Sequence, residues 1–219
     1  MMRRDAGEVC KNGTVRRNHG GEKEAFSMNG NLAYKLEPKE EIVGGRVVMM
    51  APATVNHGRV CGNIYGIFRN YLIGRRCEPF PDGVGLCLEE DAEEYQPDGM
   101  VVCDPEKVKA RGVVGAPDLV VEVLSPSTAK NDRGHKMNAY EKHGVREYWI
   151  VSPDALTLEQ YVLEDGRFVL RDVYHRYTAA ELADMKEKER ADVVMEFQCS
   201  LFADLTIRLE DVFGRVVVG

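Results

Sequence analysis

Apolar positions along the chain fall into short blocks whose spacing changes from two to about 3.6 and back, and each change marks an element. In "EEIVGGRVVMM" two short strand-like runs flank Gly44 and Gly45, a pair suited to the positive φ angles of a tight hairpin. Ordered structure is expected to begin just before it, near Leu36. Val60, Ile64, Ile67, Phe68, Tyr71 and Leu72 then recur at helical spacing, which predicts an amphipathic helix with Asn56 as N-cap and Gly74 past its end. "VGLCLEE", "YQPDGMVVCD" and "APDLVVEVLS" read as strands. A second helix is predicted from about Asn131 to Lys142, with Met137 and Tyr140 inward and Gly144 as its stop. "VREYWIVS", a hairpin turned at Asp165-Gly166, and "DVVMEF" supply further strands, with the charged "TAAELADMKEKERADVV" as a solvated loop or short helix. The class is α/β, with a central mixed β-sheet flanked by helices.

Residues 1–30 show neither period and are poor in large apolar side chains, so they are expected to form a flexible extension before a single domain over 31–219. With 44% apolar and 30% charged residues among 219, the remainder is ordinary globular composition. No apolar run approaches the roughly 18 residues that a membrane span needs, and a cytoplasmic protein is expected. Cys10, Cys61, Cys77, Cys87, Cys103 and Cys199 include no C-x-x-C pair, so reduced, buried thiols are expected. A net charge of −7 argues against strong non-specific attraction to a polyanion, although Arg69, Arg75 and Arg76, and likewise Lys130, Arg133 and Lys136, gather basic charge locally.

The chemical signal lies in "APDLVVEVLSPST", where Glu122 interrupts an apolar strand. Burying an uncompensated carboxylate is costly, so such a residue asks for a partner. Asp118 and Glu122 share a strand face but lie roughly 13 Å apart, too far to share one ion, and Asp118 fits a strand-start role. Asp98, in "QPDGMVV", would lie about 5 Å from Glu122 if the two strands are neighbours. Two carboxylates at that distance call for a hard divalent cation, Mg or Mn, with the Val123 carbonyl as a further ligand. Lys136, on the helix that follows the short link "SPSTAK", would position the attacking water and offset charge growing on a phosphate. Asp98, Glu122 and Lys136 thus make a minimal set for metal-assisted phosphodiester hydrolysis.

"QPDGMVV" together with "APDLVVEVLSPSTAKNDRGHKMNAYEKHGVREYWIVSPD" resembles the Uma-type family of restriction-endonuclease-like domains, a branch of the PD-(D/E)XK nuclease superfamily, from about Glu41 to the end of the chain. The resemblance implies a restriction-endonuclease-like fold in which Asp98 and Glu122 are the two acidic positions. The superfamily's lysine stands two residues after the second acid, where this chain has Leu124, so the resemblance implies that Lys136 takes that role. The early helix lacks the acidic ligand of many relatives, and His57 or Glu41 is the candidate substitute. A Mg-dependent endonuclease acting on DNA as a homodimer is expected. The alternative is a catalytically silent nucleic-acid-binding or assembly module on the same scaffold.

Overall fold

The computed structural model describes residues 40–50, 53–126 and 128–217; Leu36 and the 1–30 extension lie outside them. Among the described residues the strands are β1 (Glu40–Val43), β2 (Arg46–Met49), β3 (Glu78–Pro81), β4 (Leu86–Glu89), β5 (Glu93–Tyr95), β6 (Gly99–Val102), β7 (Val108–Lys109), β8 (Gly112–Val114), β9 (Leu119–Val123), β10 (Glu147–Ser152), β11 (Thr157–Glu164), β12 (Arg167–His175), β13 (Glu196–Gln198) and β14 (Thr206–Arg208). They form two six-stranded sheets and a two-stranded one, rather than one central sheet. The first sheet runs β2-β1-β5-β4-β8-β7 and the second β12-β11-β10-β9-β6-β3. The apolar runs mark β1, β2, β4, β6 and β9 to β12, while the short strands β3, β7, β8 and β14 carry no such run, and partner choice depends on long-range packing that periodicity does not carry.

β9 is the centre of the second sheet, parallel to β10 and antiparallel to β6. All five of its residues are buried, because both faces are covered. Leu119, Val121 and Val123 pack with Val60, Ile64 and Phe68 of helix α1 (Val55–Tyr71) and with C-terminal residues such as Ile207 and Phe213. Val120 faces the other way, into a layer with Tyr148, Ile150, Tyr140 and the first sheet's Leu86 and Tyr95. Strand alternation puts Glu122 on this second face.

Several local expectations are corrected. α1 is capped by Thr54, whose hydroxyl accepts from the His57 amide, while Asn56 bonds Val217 instead. Only the end of "DVVMEF" is a strand, since β13 begins at Glu196. The second helix is a composite of α2 (Ala129–Asn131), a π-helical turn over Asp132–Lys136 and α3 (Met137–His143), which Gly144 ends at φ 86°. Cys77 and Cys103 are joined in a disulfide, contrary to the expectation of reduced thiols. The β3/β6 register, Glu78 opposite Val102, carries the two cysteines face to face, a proximity invisible in their sequence spacing. By contrast, the charged segment predicted as loop or short helix is helical as expected, in two short pieces, α4 (Ala179–Asp184) and α5 (Glu187–Ala191).

The β1/β2 hairpin reaches the centre of the molecule through buried Glu41 of β1, while its exposed turn packs against the π turn. Gly44 and Gly45 hold φ angles of 57° and 73°, and a Cβ on Gly44 would sit 2.9 Å from the His135 ring in the π turn. Gly44→Ala is expected to lower stability in urea unfolding by about 1–2 kcal/mol, from the left-handed backbone alone. Gly58→Ala, in α1 with nothing within 4 Å of the added Cβ, is expected to raise stability by up to about 1 kcal/mol in the same measurement.

Candidate active site

Three elements meet at one ammonium group. Lys136, buried in the π turn, places Nζ 3.0 Å from Glu122 Oε1, 3.0 Å from Glu41 Oε1 and 3.6 Å from Asp132 Oδ1. β9 supplies Glu122, β1 supplies Glu41, and the π turn itself supplies Asp132. The Tyr140 hydroxyl donates to Glu122 Oε1 at 2.7 Å. Glu41 Oε1 also accepts from the Gln96 amide at 2.8 Å, so the hairpin is tied to the approach to β6 as well. The widened turn's Asp132 carbonyl accepts from the Tyr148 hydroxyl at 2.9 Å, so the group that a π turn shifts out of the α-helical pattern keeps a partner.

Burial pushes the Glu122 carboxyl well above its ordinary 4.5; Lys136 pulls it back, and Asp132, Asp98 and Glu41 push it further. Burial alone would lower the Lys136 value, but Glu122, Glu41 and Asp132 together raise it above its ordinary 10.5, so it stays charged. Asp132 is raised by burial, against the opposing pull of Lys136 and a hydrogen bond from Thr128. Its Oδ1 has no hydrogen-bond partner despite being buried. Burial and Glu122 raise Tyr140 well above 10, which keeps it a donor.

Asp98 lies one residue before β6, and continuing the Gly99-to-Val121 register sets it level with Glu122. Its Oδ2 accepts from the Val123 amide at 2.7 Å, and Oδ1 stands 3.3 Å from His57 Nε2 in the first turn of α1. His57 Nδ1 lies 3.4 Å from Cys61 Sγ.

The sequence-predicted residues are thus placed in two neighbouring groups. Lys136 contacts Glu122, and among the described residues no ion pair joins it to Asp98. Glu41 and His57, secondary candidates from sequence, enter one group each. Asp118 lies apart, accepting from the Cys103 amide at 2.7 Å as a strand-start residue does. Arg133 pairs with Glu159, Lys130 is exposed, and Arg69, Arg75 and Arg76 line a separate cleft near the far end of α1. Sequence reasoning missed Cys61, Asp132 and Tyr140 as site residues. The i, i+4 relation of Cys61 to His57, and of Asp132 and Tyr140 to Lys136, was the available signal.

A second buried carboxylate shows what a purely structural one looks like. Glu147 accepts from Trp149 Nε1, Gln160 Nε2 and the amides of Ser200 and Leu201, so its oxygens are surrounded by neutral donors. It anchors the C-terminal segment to β10. The Glu122 group instead crowds acids around one base.

Comparison with known proteins bears on the family and the fold. Residues 31–189 match the family model Uma2, described as "Putative restriction endonuclease". Two uncharacterized proteins of Synechocystis are similar: one is 29% identical over 150 residues, covering 68% of this chain and 77% of the relative. The other is 26% identical over 152 residues, covering 68% and 86%. The crystal structure of "a putative nuclease belonging to DUF820" from Anabaena variabilis superposes with a TM-score of 0.62 at 17% identity, over 82% of this chain and 92% of that one. The fold is therefore restriction-endonuclease-like, with mixed sheets flanked by helices. A match spanning most of the chain, together with this shared fold, establishes that the chain belongs to the Uma2 family.

Proposed function

We propose that the protein is a divalent-cation-dependent nuclease that hydrolyses phosphodiester bonds in DNA, with Asp98 and Glu122 as the carboxylates that hold the ion. The observation that carries this reading is charge imbalance. Glu41, Glu122 and Asp132 surround a single ammonium, Asp98 adds a further acid beside Glu122, and among the described residues Asp132 Oδ1 is left without a hydrogen-bond donor. A site so rich in acid at low solvent access is stabilised by an added cation. Oxygen donors suit Mg or Mn, with the Val123 carbonyl as a further ligand beside the Val123 amide that fixes Asp98. When bound, such an ion supplies Lewis acidity to a phosphate and lowers the pKa of water.

The chain's own residues do the positioning. Lys136 and Tyr140 both hold Glu122 through Oε1, so Oε2 is the oxygen that the proposal gives to the ion. Because Nζ is shared among carboxylates, Lys136 acts first by fixing Glu122, and its charge offsets negative charge that develops on the phosphate. Glu41 restrains Lys136 from the far side. Among the described residues no helix is long and apolar enough to cross a membrane. A homodimer, with one site for each strand of a duplex, is part of the proposal.

Plasmid cleavage with Mg or Mn is expected to fall about a hundredfold or more in Asp98→Ala and Glu122→Gln, close to 3 kcal/mol of barrier. Cleavage that survives both substitutions would overturn the assignment and favour a silent nucleic-acid-binding module. Lys136→Met is expected to destabilise the metal-free protein by about 3–5 kcal/mol at neutral pH, because three buried carboxylates lose their counter-charge. Unfolding in urea measures it, and the loss should shrink in acid, where the carboxyls protonate. The pH dependence has a definite sign for Glu122. Its folded pKa is raised, so its contribution is fully present below its ordinary 4.5 and is lost as pH climbs through the folded value. Glu122→Gln cannot ionise, so wild-type stability is expected to fall relative to this variant as pH rises above 4.5.

A further inference from the structure

Asp98 has a second chemical neighbourhood, at the first turn of α1. α1 carries no Asp or Glu from Val55 to Tyr71, so the ligands it can offer there are an imidazole and a thiol. His57 and Cys61 are four residues apart on one helix and therefore project from the same face, one turn apart. A ring nitrogen of His57, Sγ of Cys61 and a carboxylate oxygen of Asp98 all lie within 4.8 Å of one another. The Val123 amide holds Oδ2 of Asp98, which aims Oδ1 at the imidazole, 3.3 Å from Nε2. The His57 and Asp98 side chains are only 12% and 14% exposed, and Cys61 packs on the core beneath α1.

From these positions we infer that His57, Cys61 and Asp98 form a transition-metal site, whose thiolate and imidazole donors select zinc-class ions over magnesium. Ligand bonds of about 2.0–2.3 Å around a tetrahedral ion set the donors about 3.3–3.7 Å apart; the three donors here lie within 4.8 Å of one another, with Nε2 nearest Asp98 and Nδ1 nearest Cys61, so a turn of the imidazole and a small approach of the other two side chains bring one nitrogen to both. Magnesium takes oxygen ligands in near-octahedral order and keeps its waters, so sulfur beside Asp98 disfavours it. Imidazole and thiolate together suit zinc, iron and cobalt. Three protein ligands are also the donor count of an open site of catalytic type, not of a closed structural one. The inference shares Asp98 with the proposed Mg or Mn centre, on whose reading it rests for that residue alone, and adds a second, neighbouring ion position at Asp98 Oδ1.

Titrating the metal-free, full-length protein with Co(II) tests it directly. The expected result is a near-ultraviolet sulfur-to-cobalt charge-transfer band in the wild type, absent in Cys61→Ser and retained in Cys199→Ser. Calorimetry with Zn(II) is expected to show binding weakened about tenfold or more in His57→Ala and Cys61→Ser, with no comparable change toward Mg(II). Circular dichroism of each variant before titration establishes that it is folded, and Cys61→Ala provides a second thiol-free variant if the serine disturbs the helix. A wild type with no sulfur band, or a band that persists in both Cys61 variants, overturns the site. Plasmid cleavage is read separately: a zinc site without cleavage removes the nuclease proposal alone, and cleavage without a sulfur band removes this one alone.

Discussion

One buried ammonium ties together pieces of chain that lie far apart in sequence. Lys136 is shared by Glu122 from the central strand, Glu41 from the first hairpin and Asp132 from its own turn. Removing several charges from water is unfavourable, and their mutual attraction offsets that cost only when the geometry is well made. The requirement reaches outward. β1 has to dock on β5 so that Glu41 arrives, and the link after β9 has to stay short so that Lys136 does. Both sheets are thereby committed to the same centre.

The group is not neutral, and this separates it from an ordinary buried ion pair. Glu147 shows how the fold treats a carboxylate that serves only packing, with amides and indole on its oxygens. At Glu122 the neighbours are mostly further acids, and the carboxyl is driven upward in pKa by them as well as by burial. An environment that raises the energy of an ionised group is unfavourable for folding by itself, and such arrangements are concentrated where chemistry is done.

Much of this was legible in the chain. Glu122 stood out because Val120 and Leu124, on its own strand face, are apolar, and Asp98 followed from assuming that two adjacent runs pair. Gly44-Gly45 and Asp165-Gly166 marked hairpins because few other residues accept those backbone angles. The hidden features depend on contacts between distant segments. The division into two sheets, the Cys77–Cys103 bridge and the convergence of Glu41 on Lys136 are set by strand partners, which local spacing does not encode. Thr54 outcompeted Asn56 as the cap because Asn56 is engaged by the backbone at Val217. Lys136 was read as a water-positioning cation grouped with Glu122, but not as a cation also shared by Asp132 and by Glu41, which arrives from a distant part of the chain.

The π turn at Asp132–Lys136 carries a consequence for how relatives are aligned and redesigned. A wide turn holds one residue more than an α-helical path of the same length. Deleting that residue would return the segment to an α-helical path of the same length, so α3 would keep its orientation and Tyr140 its reach to Glu122. The change would fall on the turn itself, where Asp132 and Lys136 take their places around Glu122. A homologue shorter by one position in this segment is therefore aligned with its gap inside the turn, and the group to look for anew is the central cation, not the phenol.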